Sequence, residues 1–461
     1  MLVSPVISAD EFGDVLLSDA PGEGRRLVIS AGEARTPSPH RMQRLGGVTA
    51  QWLLRHGIHR AGVRAGDLSR LGGEQALSAY CLGLLLGGSG YSQRKGQQGA
   101  ATGIEVHLLA EGNLSPLEDL VQRASWIAGG VSLARNLANE PPNVINPVSL
   151  AERAAAQAAQ DGLGCVIIDE KKLAEIGAEA MLAVGQGSQT PPRLICLEYP
   201  GRGAQVGSPP VVIVGKALTF DTGGYSLKER AAMVGMKYDK CGGTAVVGIM
   251  HAISHLQVET PVVGVIAAAE NMISAAAYRP DDVIRSLAGK TIEITSTDAE
   301  GRLVLADALT YAIDRYRPRL LVDLATLTYG VVTALGRLRT GLMSNDDALA
   351  GALLDCGERT GELLWRLPLD DEYLDYLRSD IADLKNYSGT KEASPVTGGV
   401  FLKQFVPDDL PWAHLDILGT ATTENDLPCT PKGATGFGIR LLVDYLVSLP
   451  EIEEGIIKIQ L

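Results

Sequence analysis

"TIEITSTDAEGRLVLADALTYAIDRYRPRLLVDLATL", Thr291 to Leu327, reads as strand, turn, helix and strand. "TIEIT" and "RLLVDLATL" are apolar strand-like runs, and "RLVLADALTYAIDRY" between them is helix-forming. The alternation extends outward. "CVIIDE", "PRLICLEY", "PPVVIVG" and "PVVGVIAAAE" read as strands; "SLAERAAAQAAQ", capped by Ser149 with Glu152 behind it, "KKLAEIGAEAMLAVGQG" and "GTAVVGIMHAISHL" read as helices. Apolar strands alternating with helices predict an α/β fold whose mixed, mostly parallel sheet is flanked by helices. Ligands of such sheets sit beyond the carboxyl ends of the strands. The turn of the opening stretch is unusual: Asp298, Glu300 and Arg302 fall at every second position. Capping is the ordinary explanation, with Thr297 and Glu300 spaced as a capping box.

The 461 residues divide into three expected parts. Residues 1–115 form a smaller N-terminal α/β domain, from pieces such as "RRLVIS", "VTAQWLLRHGI" and "GIEVHLLA", with no evident chemistry and a role in assembly or access. Residues 116–139 form a connecting helix, capped by Ser115 with Pro116 and Glu118 behind it and stopped by "PPN". Residues 140–461 form the larger, catalytic domain, ending in a strand or tail, "EIEEGIIKIQL". The net charge of −13 and the lack of a long basic run argue against a nucleic-acid surface. No apolar run reaches the roughly 18 residues that span a bilayer, and the N-terminus is not signal-peptide-like. Six scattered cysteines read as reduced thiols of a cytoplasmic protein. The seven histidines are read as offering no H-E-x-x-H or other close ligand pair, so a metal site is expected to be built mainly without them.

The polar residues gather at strand ends and helix starts. Lys216, Asp221 and Lys228 lie in "VGKALTFDTGGYSLK", Asp239 in "MKYDKCGG", and Asp298 and Glu300 beyond "TIEIT". Each has a local explanation as a solvated lysine, a turn residue or a cap. Together, four carboxylates side by side cannot all stay ionised without cations. Bridging two divalent ions is a stable solution, and an oxygen-rich site suits Mg, Mn or Zn. Phosphate-loop and serine-hydrolase elbow motifs are absent.

"VGKALTFDTGGYSLK", "MKYDKCGG", "ENM", "STDAEGRLVLADAL", "ATLT" and "WAHLDILGTA" together resemble the leucyl aminopeptidase family, cytosolic dizinc aminopeptidases of the aminopeptidase A and peptidase B type. The resemblance spans about residues 130–445 and is faint over residues 1–115. It implies a metallo-exopeptidase that hydrolyses the N-terminal residue, Leu-like or broad in type, from peptides with a free N-terminus. Its two-metal site maps onto Lys216, Asp221, Asp239, Asp298 and Glu300, with Asp221 and Glu300 bridging. The ions implied are Zn or Mn, with Mg or Co as further choices. Lys228 would stabilise the oxyanion, and Arg302 would hold a bicarbonate that serves as base. Met236, Asn271, Thr326, the Leu327 backbone and Tyr329 map onto the substrate pocket. The family also implies a cytoplasmic homohexamer.

Some positions depart from the family pattern. Thr222 replaces a usual Ser, Ser296 a usual Asn and Tyr329 a usual Gly; Lys240 stands where Met is common and is expected to add a cation beside Asp239. Two other readings compete: a metal-dependent hydrolase of another class such as a phosphatase, and a catalytically weak or inactive member acting as a structural or binding assembly. The complete set of ligand positions favours the active peptidase.

Overall fold

A computed structural model describes residues 1–6, 11–20, 24–32, 37–89, 103–110, 112–205 and 207–449. The terminal "EIEEGIIKIQL" lies outside the described residues. Strands β1 (Leu2–Val6), β2 (Val15–Ala20), β3 (Gly24–Ser30), β4 (Arg60–Arg64) and β5 (Glu105–Leu109) form one sheet in the order β2-β3-β1-β4-β5. Helices Pro39–Arg55 and Gly73–Gly87 belong to the same part of the chain, which has its own core around Leu27, Ile29, Leu45, Leu53, Val63 and Leu77. The long helix Ser115–Asn139 follows and packs on helix Cys241–Leu256. Ser115 is its first residue rather than its cap: Leu114 holds the cap position without a side-chain bond. The Ser115 N–H donates instead to Asn113 Oδ1 at 3.1 Å.

Among the described residues the larger sheet has eight strands. β6 (Gly164–Ile168), β7 (Arg193–Tyr199), β8 (Val211–Asp221) and β9 (Val262–Asn271) make one half. After the short β10 (Val283–Arg285) and β11 (Thr291–Glu293), the other half is β12 (Leu320–Ala325), β13 (Thr340–Ser344), β14 (Leu364–Arg366) and, beyond β15 (Leu384–Lys385), β16 (Trp412–Asp416). The order is β14-β13-β16-β12-β8-β9-β7-β6, and the central run β16-β12-β8-β9 is parallel throughout. Buried side chains alternate faces along β8. Val211, Ile213 and Ala217 join a core with helices Ser115–Asn139, Pro147–Gln160, Cys241–Leu256 and Ile439–Ser448. Val212, Val214 and Leu218 join another with helices Glu179–Gly185, Gly301–Tyr316 and Ser394–Lys403. A sheet covered on both faces explains why its strands read as continuous apolar runs.

Three local readings are corrected. "TIEIT" is not part of the central sheet; its first three residues form β11, between β10 and β15 in a small separate sheet. Residues 170–185 form two helices, because Gly177 adopts φ +83° and ends the first. Ser149 does not cap the helix that begins at Pro147: Asn146 is the cap, and Ser149 completes the capping box from the third helical position.

Candidate active site

The parallel run sets the site. β8 lies between β12 and β9, so Asp221 at the end of β8 stands beside Asn271 at the end of β9, with Thr326 just beyond β12. A register irregularity between Leu218 and Asp221 bends the end of β8. The segment 295–300 closes over these ends. Its capping box does not form: Glu300 holds the cap position of helix Gly301–Tyr316 without a side-chain bond. The Thr297 hydroxyl instead donates to the Gly223 carbonyl at 2.6 Å and accepts from the Ser226 N–H at 2.7 Å. Thr297 thus ties two loops together, and both acids are released from capping.

The charged groups meet directly. Lys216 Nζ lies 2.9 Å from Asp239 Oδ1, 2.9 Å from Glu300 Oε1 and 2.8 Å from the Thr326 carbonyl. A Cβ at Gly301 would sit 2.6 Å from Lys216 Nζ, so the glycine leaves the space that the Lys216 side chain fills. Lys228 Nζ lies 2.8 Å from Asp221 Oδ2 and also pairs with Asp298. Asp221 Oδ1 accepts from the Gly223 N–H and from Asn271 Nδ2, each at 2.8 Å. Thr326 Oγ1 donates to Asp239 Oδ1 at 2.7 Å. Carboxylate oxygens of Asp221, Asp298 and Glu300 lie within 4.8 Å of one another. All of these groups except Asp298 and Lys228 are buried.

Electrostatics follow from that crowding. Burial pushes the Asp239 carboxyl up to about 8; Lys216 opposes the shift, and Glu300 and Asp221 add to it. Burial, reinforced by Glu300, pushes Asp298 up to about 6. Burial also works against the ammonium groups of Lys216 and Lys228, but the carboxylates outweigh it and hold both above the usual lysine range. Asp239 Oδ2, Glu300 Oε2 and Asn271 Oδ1 are buried without a hydrogen-bond partner. Buried oxygens left bare in this way are costly, and a cation satisfies them. The donor set, carboxylates and one amine, fits divalent ions that favour oxygen ligands.

Arg302 is the second residue of helix Gly301–Tyr316 and makes no hydrogen bond or ion pair with the site carboxylates. Its Nη1 donates to the Asn386 carbonyl at 2.9 Å, and its Nε is buried without a partner. Burial lowers its guanidinium to about 10, against the pull of Glu300. Met236 opens the short turn Met236–Tyr238 that leads into Asp239. The Leu327 N–H donates to Asp416 Oδ1 at 3.1 Å. Tyr329 starts helix Tyr329–Leu335 and is 75% exposed, with no contact to the carboxylate group. Lys240 does not add a cation to the site. Its Nζ points to the carbonyls of Glu140, at 3.1 Å, and Lys237.

Two supporting residues were not singled out from the sequence. Asn386 Oδ1 accepts from the Thr295 N–H at 2.9 Å and its Nδ2 donates to the Ser296 carbonyl at 2.6 Å, fixing the segment that carries Asp298 and Glu300. Asp416, at the end of β16, takes the N–H groups of Leu327 and Thr328 and the Thr328 hydroxyl. Its place at the end of an apolar strand was a signal; Asn386, in "LKNYSG", carried none.

A family model described as "Cytosol aminopeptidase family, catalytic domain" matches residues 132–443. The chain belongs to the cytosol aminopeptidase family. It is thereby a metal-dependent peptidase, a hydrolase of the aminopeptidase class. A "Probable cytosol aminopeptidase" of Syntrophotalea carbinolica is 42% identical over 92% of this chain and 85% of that protein. One of Geobacter sulfurreducens is 41% identical over 93% of this chain and 86% of that protein. Among solved structures, "Bottromycin maturation enzyme BotP in complex with Mn" superposes with a TM-score of 0.89 at 31% identity, covering 97% of this chain and 99% of that one. Among the described residues, no helix is long and apolar enough to cross a membrane.

Proposed function

We propose that this cytosol aminopeptidase family member removes the N-terminal residue, Leu-like or broad in type, from peptides whose α-amine is free. The observation that carries the reading is the convergence of Lys216, Asp221, Asp239, Asp298 and Glu300 at the strand ends, with two of their carboxylate oxygens buried and bare. These five residues would hold two divalent ions, Zn or Mn. The similar BotP structure, solved in complex with Mn, supports Mn as one choice. When bound, the ions supply an acidified water and polarise the scissile carbonyl.

The remaining work falls to the chain itself. Lys216 is a ligand only as the neutral amine, so it must give up the proton that Asp239 and Glu300 stabilise. Thr326 orients Asp239, and Asn271 with the Gly223 N–H orients Asp221. Lys228, whose side chain is 15% exposed, keeps a fixed ammonium at the open side of the cluster, where it would stabilise the developing oxyanion. Arg302 presents a buried, unpaired Nε–H, a donor suited to a small planar anion such as bicarbonate acting as base. The Leu327–Thr328 backbone, held by Asp416, would frame the substrate along with Met236, while exposed Tyr329 would shape the pocket entrance. Residues 1–115 would serve assembly, in a cytoplasmic homohexamer of the kind the family resemblance implies.

The test is turnover of leucine p-nitroanilide and its N-acetyl derivative by protein loaded with Zn or Mn. The proposal expects hydrolysis of the first and none of the second. Equal turnover of both, or none of either with metal bound, would refute it.

A further inference from the structure

Helix Cys241–Leu256 begins beside the carboxylate cluster, and near its far end it carries a second group of ligand-type side chains. His251 and His255 are four residues apart, so they share one helix face. This overturns the expectation that the histidines form no close pair; the signal was "HAISH". Both rings meet Asp161, the residue that ends helix Pro147–Gln160. His251 Nδ1 lies 3.0 Å from both Asp161 carboxylate oxygens, and His255 Nε2 lies 3.0 Å from Oδ1. One ligand atom from each of the three residues lies within 4.8 Å of the others.

The surroundings fix this arrangement. Trp126 stacks on the His255 ring at 4.0 Å between centroids and 10° between planes. Gly129, three residues further along the same helix, makes room for His251: a Cβ there would sit 3.0 Å from its Nε2. Gln157 Nε2 donates to both Asp161 oxygens at 3.1 Å and orients the carboxylate. The Asp161 side chain is 3% exposed and that of His255 28%, so the group is anchored on one side and open to solvent on the other.

We propose that Asp161, His251 and His255 form a further metal site, distinct from the carboxylate cluster and taking a divalent ion that favours imidazole, such as Zn. Two imidazoles and a carboxylate make a three-ligand set with a fourth position left for water. A tetrahedral ion with bonds of about 2.0–2.1 Å places its ligand atoms about 3.3–3.4 Å apart. The 3.0 Å separations need to open by only a few tenths of an ångström. Gln157 would be the residue that holds the ligating carboxylate in place, as the partners of metal ligands commonly do. The site joins the long helix Ser115–Asn139, through Trp126, to the body of the sheet, so an ion there would brace that junction.

The decisive experiment counts and identifies zinc in the full-length protein reloaded after stripping. The carboxylate cluster contains no histidine, so imidazole scattering in the zinc absorption-edge spectrum reports on His251 and His255. Wild type should show that scattering and hold one more zinc per chain than His251→Gln or His255→Gln. Leucine p-nitroanilide turnover of the two variants should stay within about twofold of wild type. A wild-type spectrum without imidazole scattering, or equal zinc counts in wild type and variants, overturns the proposal. Both readouts are independent of whether the carboxylate cluster performs peptidase chemistry.

Discussion

Replacing Thr326 by Val separates two roles that its position allows. As a pocket-lining residue, Thr326 would affect substrate; as a support for Asp239, it would affect metal. Its hydroxyl donates to Asp239 Oδ1 at 2.7 Å, and the residue is 3% exposed. A hydrogen bond to a charged group contributes about 1.5–3 kcal/mol. At about 1.4 kcal/mol per factor of ten, its loss weakens metal binding roughly 10- to 100-fold. Lys216 Nζ still reaches Asp239 Oδ1, so that oxygen is not left bare, and the lower end, about tenfold, is expected. The Thr326 carbonyl that receives Lys216 survives the substitution. The assay is turnover of leucine p-nitroanilide against buffered free Mn or Zn. Thr326→Val should shift the half-activating metal concentration upward and restore near-normal kcat at saturation. An unchanged metal dependence with a raised KM would refute the reasoning and return Thr326 to the pocket wall.

Further outcomes follow from other contacts. Lys228→Met should lower kcat by about 10²- to 10³-fold with metal content retained, as measured by steady-state kinetics with metal analysis, because it removes an ammonium at the open side of the cluster. Arg302→Lys keeps a charge but loses the planar fork; kcat should fall and any stimulation by added bicarbonate should disappear, whereas unchanged stimulation would deny Arg302 that role. Burial lowers Lys240 to about 8, so this side chain binds fewer protons in the folded protein than in the unfolded chain between about pH 8 and the usual lysine value. The contribution of Lys240 to stability should therefore rise with pH across that window, opposed above about pH 9 by the buried Cys81, Cys196, Cys241 and Cys356 thiols, which burial pushes up to about 12. Lys240→Met should remove that contribution and stabilise the protein at pH 7 by roughly 1–3 kcal/mol, read from denaturant unfolding at pH 7 and pH 10 for both proteins.

Strands β6, β7, β8, β9 and β12 of the larger sheet were legible because strands buried in the sheet leave apolar runs between helices, whereas the short β13, β14 and β16 were not; the site showed because its acids interrupt such runs where strands end. Local capping was less legible. Thr297 and Glu300 have capping-box spacing, but Thr297 is taken by Gly223 and Ser226, contacts some 70 residues distant that no local pattern encodes. Ser149 and Ser115 misled for a related reason: several residues near each helix start can cap, and neighbouring geometry chooses among them. The direction of Lys240 was likewise invisible, because adjacency to Asp239 in sequence says nothing about where a long side chain points. Asn386 is a residue of ordinary appearance whose importance comes only from the segment the fold lays across it.

The central claim is that the cluster of Lys216, Asp221, Asp239, Asp298 and Glu300 holds a pair of divalent ions. An anomalous difference map from a crystal soaked in Mn tests it most directly. The account predicts two peaks within that cluster, roughly 3.5–4 Å apart. A single peak there, or none with Mn bound elsewhere on the chain, would contradict it.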